Sequence, residues 1–305
     1  MNDAIKNIVA SVASLLPLSF LKAGRKYPPV LPFYHLIRSS PPQYINSYAV
    51  HTEEEFVREL DFLLKHFTPV GLDEIIHAPD NTKMHLTFDD GLKECSTLIA
   101  PVLKRKGIPA TFFVSPDFVA NKSTFHRFKR AILESEGVLK PGGKRFFIHE
   151  AARLDELAAN HNIDFSVFEP YMDFDEISDL YRQGFTIGGH SMNHPEMWLL
   201  NEDEQLTQIV DSMKWVNANF DQKIRAFSFP FTDDGLKHSL FEKIKQSGEL
   251  DVTFGTAGLK FDETPFHFQR IPIERSKKWT AEKVIHFEFL YFHLRKLFSA
   301  NRVTR

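Results

Sequence analysis

The stretch Met84–Gly91, MHLTFDDG, decides how this chain folds. Met84, Leu86 and Phe88 alternate with His85, Thr87 and Asp89, the period of two expected of a β-strand. The apolar run stops where Asp89, Asp90 and Gly91 begin. Two adjacent carboxyls therefore sit at a strand's carboxyl end, with Gly91 freeing the backbone to turn. Neighbouring strand side chains point apart, so a turn there lets both acids approach one cleft from different angles. Carboxyls that cannot comfortably ionise together suit metal binding or general-base work. They equally suit a strand-end turn or a helix N-cap.

Runs of the same kind recur on either side: VLPFYHL at Val30–Leu36, ATFFVS at Ala110–Ser115, FTIGGHS at Phe185–Ser191, IRAFSFPF at Ile224–Phe231, VTFGTAG at Val252–Gly258 and FQRIPIE at Phe268–Glu274. Helical patterns lie between them, such as EEEFVRELDFLLKHF at Glu53–Phe67 and EDEQLTQIVDSMKWVNANF at Glu202–Phe220. This alternation predicts an α/β chain: an irregular (β/α)-barrel of about seven mostly parallel strands, with its chemistry at the strands' carboxyl ends. One connection, 117–171, is too long for a simple crossover and carries two helical patterns of its own. It reads as a lid or binding surface, or as a helical packing insert. Its Lys122, His126, Arg127, Lys129 and Arg130 suit phosphate or an acidic sugar, or a solvated helix face.

The letters DDGLK occur a second time, at Asp233–Lys237. Here Pro230 breaks the strand before the acids arrive, and a helical pattern follows. Asp233 and Asp234 are expected to cap that helix. A further cluster stands in TIGGHSMNHP, Thr186–Pro195, where His190 and His194 are four apart between a glycine pair and a proline. Neutral imidazole is a common ligand for zinc and similar ions. Gly188, Gly189 and Pro195 are expected to fix a tight, non-helical joint there.

The motifs TFDDG, HSMNHP and FSFPF, with their order and flanking strands, resemble the polysaccharide deacetylase family, carbohydrate esterase family four. The resemblance runs from about Pro29 to Glu274, interrupted by the long connection. It implies an irregular barrel and a metal-dependent hydrolase that removes N-acetyl groups from amino sugars of a glycan. It implies one divalent ion, zinc first and cobalt, nickel or manganese as alternatives, on Asp90, His190 and His194. Asp89 matches the family's catalytic base. Pro230 and Phe231 match the motif that walls the substrate groove, and His35 is expected at the pocket rim. Ser228 stands where that motif often has the arginine that steadies the base, and Thr232 replaces its glycine; Arg270 is the candidate substitute for the arginine. The family's acid has no clean match, His267 and His286 being the candidates. A deformylase and a catalytically weak carbohydrate-binding protein are the alternatives.

Composition narrows the setting. Cys95 is the only cysteine in 305 residues, which excludes an internal disulfide and a multi-cysteine zinc site; it falls on an apolar helical face and reads as a buried thiol. Residues 1–26 carry four Lys/Arg against one Asp, and 275–305 carry eight against two Glu, while the net charge is −3. The body between them is acidic, which argues against nucleic acid. Basic termini suit an anionic membrane surface. The division expected is an N-terminal amphipathic segment (1–26), a deacetylase-like barrel (27–276) and a basic C-terminal helix (277–305). In the first, Ile5, Ile8, Val9, Val12, Leu15 and Leu16 recur at helical spacing. A cytoplasmic location, peripheral at the inner membrane face, is expected, with export left open and the oligomeric state unassigned.

Overall fold

The computed structural model describes residues 3–23, 26–46, 49–275 and 279–305, the side chains of 3–5 excepted. Pro32–Tyr34, Leu86–Phe88, Ala110–Val114, Thr186–Gly189, Ala226–Ser228 and Val252–Gly255 are strands that lie side by side in chain order. Every pairing in this sheet is parallel. The seventh run splits in two. His267–Gln269 pairs with Val252–Gly255, whereas Ile271–Pro272 pairs with Pro32–Tyr34. These pieces are the two edges of the eight-stranded sheet, and Arg270 alone separates them in the chain. One short stretch thus nearly closes the barrel, and the expected seven strands become eight.

Helices cover the outside, so the strands are buried on both faces. Tyr34, Phe88 and Phe112 stack in sequence, with ring centroids 5.9 and 5.1 Å apart, and Phe185 meets Phe112 edge-on at 5.3 Å. Helix starts follow local chemistry. Thr52 and Glu55, Asp173 and Glu176, and Asn201 and Glu204 form reciprocal caps at the starts of Glu53–His66, Phe174–Arg182 and Glu202–Asn219. Cys95 is fully buried, and burial pushes its thiol well above the ordinary range.

Gly188 and Gly189 do not serve the joint expected of them. Both lie inside the strand Thr186–Gly189. A Cβ on Gly188 would stand 2.3 Å from the ring of Phe113, and one on Gly189 2.9 Å from Met213 Sδ. They are glycine so that a strand and a helix can approach closely.

Within 117–171, helices His126–Ser135 and Ala151–Asn160 pack Leu133, Phe146, Leu154 and Ala158 into a small core. Asn121 ties the base of this excursion. Its side chain donates to the Tyr171 carbonyl at 3.3 Å and accepts the Tyr171 amide at 2.9 Å. Phe125, Phe128 and Ile132 join Leu36 and Leu92, which follow the first two barrel strands, in a second apolar cluster. The excursion therefore sits over the carboxyl end of the barrel. At the other margin, helix Ala281–Leu297 buries Val284, Ile285, Phe287, Phe289 and Phe292. Helices Asp3–Ala13 and Leu18–Lys22 run along it, joined by Trp279 Nε1 donating to Asn7 Oδ1 at 2.6 Å and His293 Nε2 to the Leu21 carbonyl at 2.8 Å. The boundary expected between 276 and 277, and the side chain of Ile5, lie outside the described residues.

Candidate active site

Asp90 departs from its strand with φ +70° and Gly91 follows at +65°. This left-handed pair turns Asp90 away from Asp89 and toward the loop after Thr186–Gly189. That loop is itself forced: Ser191 and His194 have φ of +63° and +55°. Phe231, in the third motif, has +59°. Non-glycine residues in this region cost on the order of 1–3 kcal/mol each and persist where surrounding structure over-determines them.

The turns bring Asp90, His190 and His194 together, one ligand atom from each lying within 4.8 Å of the others. His194 Nε2 is 3.2 Å and His190 Nε2 3.5 Å from Asp90 Oδ1. Ligands around one tetrahedral zinc stand about 3.3 Å apart. His190 Nδ1–H donates to the Ser228 carbonyl at 2.8 Å, which leaves the lone pair on Nε2. Burial pulls the pKa of His194 down to about 4 despite the nearby Asp90 carboxylate, so its ring is neutral near pH 7. Asp90 Oδ1 is buried and accepts no hydrogen bond. A buried carboxylate oxygen without a donor, facing two imidazole nitrogens, fits a cation.

Asp89 points elsewhere. Arg270 donates from Nη1 and Nη2 to its two oxygens, both at 2.7 Å, and to Thr87 Oγ1 at 2.8 Å. The guanidinium is fully buried, with its plane over Phe33 at 4.3 Å. Burial acts to raise the Asp89 pKa, but the Arg270 charge outweighs it and holds the carboxyl below its ordinary value. Ser228, in the position where the motif often has an arginine, accepts at Oγ from Arg270 Nη2 at 2.6 Å. The break in pairing between Gln269 and Ile271 is what admits this side chain at the barrel's seam.

His35 lies at the end of the first strand and is paired with a residue the sequence did not single out. Glu274 accepts from His35 Nδ1 at 2.6 Å and from the amides of His35 and Leu36 at 2.8 and 3.0 Å. Burial works to lower the His35 pKa. The hydrogen bond and charge of Glu274, with the fields of Asp90 and Asp89, overcome it and lift the value to about 9.

The centre is covered. Phe125, from the 117–171 excursion, stands edge-on to His194 at 4.6 Å, and Phe231 does so at 4.5 Å. Trp198 packs on Phe231 at 5.7 Å, and the Arg127 guanidinium lies over the Phe231 ring at 3.9 Å. Glu196, buried and immediately following the histidine motif, accepts from His126 Nε2 at 3.0 Å and from the Ile148 amide at 3.1 Å. The excursion is thereby fastened to the loop that carries His190 and His194. Pro230 is buried beside Phe231. Phe125, Glu196 and Glu274 carry no motif of their own, and no local pattern marks them.

The second acidic pair does not cap a helix. Lys237 precedes helix His238–Ser247, and Asp233 is buried. Asp233 Oδ2 accepts from Gln269 Nε2 at 2.7 Å and Arg305 Nη2 at 2.5 Å, with His267 Nε2 at 3.1 Å. Asp233, Asp262 and His267 are grouped closely enough to share a cation, but Arg305 already spans both carboxylates. The sequence reading failed because the compensating charge comes from 72 residues away. His267 is thus committed to this cluster. His286 sits in helix Ala281–Leu297 with Nδ1 donating to the Glu282 carbonyl at 2.8 Å. Neither joins the Asp90 centre. A cavity of about 600 Å³ lined by Tyr27, Leu31, Phe261 and His267 also shares no residue with it.

A nearly closed parallel barrel with carboxylates and imidazoles gathered past its strand ends places the chain in the (β/α)-barrel class. The sequence pattern described as polysaccharide deacetylase matches residues 77–248, more than half of the chain. The chain belongs to the polysaccharide deacetylase family, hydrolases of amide carbon–nitrogen bonds, and this membership implies a polysaccharide substrate. The match includes Asp89, Asp90, His190, His194, Pro230 and Phe231 and omits His35, Arg270 and Glu274. No curated protein matches the chain in sequence. Among solved structures, the Streptococcus pyogenes deacetylase PplD in complex with acetate is 16% identical, covers 87% of this chain and 99% of its own, and has a TM-score of 0.57. IcaB from Ammonifex degensii is 17% identical, covers 87% and 98%, and scores 0.57. A de-N-acetylase from Aggregatibacter actinomycetemcomitans is 13% identical, covers 80% and 94%, and scores 0.55. At these identities the likeness establishes a shared fold.

Proposed function

We propose that this protein hydrolyses the N-acetyl group of amino sugars in a glycan, with one divalent ion on Asp90, His190 and His194. The observation that carries this reading is the donor-less, buried Asp90 Oδ1 facing two imidazole nitrogens at 3.2 and 3.5 Å. Zinc suits the ligand set best, with cobalt, nickel or manganese as substitutes. Such an ion supplies Lewis acidity toward the acetyl carbonyl and lowers the pKa of the attacking water.

The chain's own residues do the rest. Asp89 takes the proton of the attacking water, its carboxylate fixed in one orientation by the Arg270 fork. Base assistance of this kind contributes roughly 10²–10⁴-fold. His35, protonated at neutral pH and oriented through Nδ1 by Glu274, gives its proton to the departing amine nitrogen. In this reading His35, expected at the pocket rim, is the acid for which the sequence offered only His267 and His286. Phe231, Pro230 and Trp198 form the wall against which the sugar rests. Arg127, stacked on that wall, favours an anionic group on the substrate.

The proposed organisation is a catalytic barrel at 27–276 between a terminal segment at 1–26 and a helix at 277–305. The proposed substrate is a lipid-linked or nascent surface glycan, met at the inner face of the membrane. The test is acetate release by the metal-loaded protein from N-acetylated saccharides, free and lipid-linked. Acetate, released far more slowly by Asp89→Asn, is the expected result. Formate instead of acetate turns the reading to a deformylase. Saccharide binding with neither product turns it to a binding protein.

A further inference from the structure

Part of the apolar stripe of the N-terminal segment faces away from the protein. Ala10, Ala13, Val9 and Leu16 pack inward, while Ile8 and Val12 on the helix, and Leu15 just past its end, face solvent. Phe20 on the next helix, and Leu297 and Phe298 at the end of helix Ala281–Leu297, do the same. These six side chains are 51–82% exposed, and Leu294 adds to them. They belong to three helices that pack against one another at one margin of the barrel. Exposed apolar groups concentrated in this way mark an interaction site.

The charge around the surface selects the partner. From residue 4 to residue 52 the chain has no Asp or Glu, and from 289 to 305 it has none. Lys296 and Arg302 are exposed, and Lys296 adjoins Leu297 and Phe298 in the chain. A second copy docked on the same face would bring two basic rims together, which opposes association. An anionic bilayer satisfies both features: apolar side chains enter the acyl boundary and ammonium and guanidinium groups meet phosphates. Among the described residues no helix is long and apolar enough to cross a membrane.

We infer that the paired terminal helices dock this protein on the surface of an anionic lipid bilayer without spanning it. The surface is separate from the Asp90 centre, and the inference stands apart from the chemistry proposed for that centre.

Co-sedimentation of the full chain with vesicles tests it. The chain is expected to pellet with phosphatidylglycerol–phosphatidylcholine vesicles and to bind pure phosphatidylcholine at least about tenfold more weakly, since each basic side chain near an anionic surface contributes about fivefold. Leu15→Glu with Leu297→Glu is expected to abolish pelleting while leaving the thermal midpoint unchanged. Lys296→Glu, which removes no apolar contact, is expected to weaken binding and its salt sensitivity. Failure to pellet with any vesicle overturns the inference, as does undiminished pelleting of all these variants. So does a dimer in analytical ultracentrifugation that Leu15→Glu with Leu297→Glu converts to monomer, because the surface then belongs to a second copy.

Discussion

Arg270 grips both oxygens of Asp89 at 2.7 Å across 181 residues of sequence. The contact exists because the closing strand breaks its pairing at Arg270, between the piece that joins Val252–Gly255 and the piece that joins Pro32–Tyr34. Ser228, which stands where the third motif often has an arginine, is small enough to leave room and polar enough to accept from the guanidinium that arrives from elsewhere.

Arg270→Ala leaves a buried carboxylate without its partner. The expected cost is about 3–5 kcal/mol of stability, read by denaturant unfolding. Arg270→Lys restores the charge and not the two-pronged bond, so stability is expected to recover further than activity. Asp89→Asn is expected to lower kcat by roughly 10²–10⁴-fold with metal content unchanged. Full activity in that variant with metal bound would show that Asp89 is not the base.

His194→Ala or Asp90→Asn is expected to drop metal content, measured by mass spectrometry of the purified protein, well below one ion per chain. Chelation is expected to abolish acetate release, and zinc to restore it in the wild type alone. Bound metal is expected to raise stability, by about 2.7 kcal/mol at a free concentration one hundred times Kd.

The His35–Glu274 pair fixes an alkaline limit. His35 has a folded pKa of about 9, above the ~6.5 of an unperturbed imidazole. The folded state therefore binds this proton more tightly than the unfolded chain. The stability it contributes is complete below about pH 6.5 and lost as pH rises through 9. The kcat/KM profile is expected to fall near pH 9, and Glu274→Gln to shift that fall to lower pH. A limb that does not move in Glu274→Gln removes His35 from the role of acid.

The two DDGLK copies are expected to separate cleanly. Asp233→Asn keeps one metal ion per chain and loses stability; Asp90→Asn loses the ion. Burial acts to raise the Asp233 pKa, yet His267, Gln269 and the Thr256 amide hold it well below the ordinary value. Its contribution to stability is present above ~3.8 and disappears as pH falls further. Arg305→Ala is expected to destabilise the same cluster, with urea midpoints reporting both changes.

The barrel was legible because each strand carries its own signal. Alternation in MHLTFDDG, turn residues at its end and helical patterns between the runs are properties of neighbours in the chain. The same local signals put Asp89 and Asp90 at a strand end and paired His190 with His194. Where the signal was local but ambiguous, the reading failed: Gly188 and Gly189 serve packing against Phe113 and Met213, and Asp233 meets Arg305 instead of a helix start. Arg270 was the candidate partner of Asp89 by resemblance, and the fold joins them; what the tertiary structure alone decided are partnerships between other distant residues, Glu274 with His35, Glu196 with His126, and Phe125 over His194. Electrostatic compensation and close packing depend on distance in space. The sequence orders residues only along the chain, and the closing of the barrel sets which of them meet.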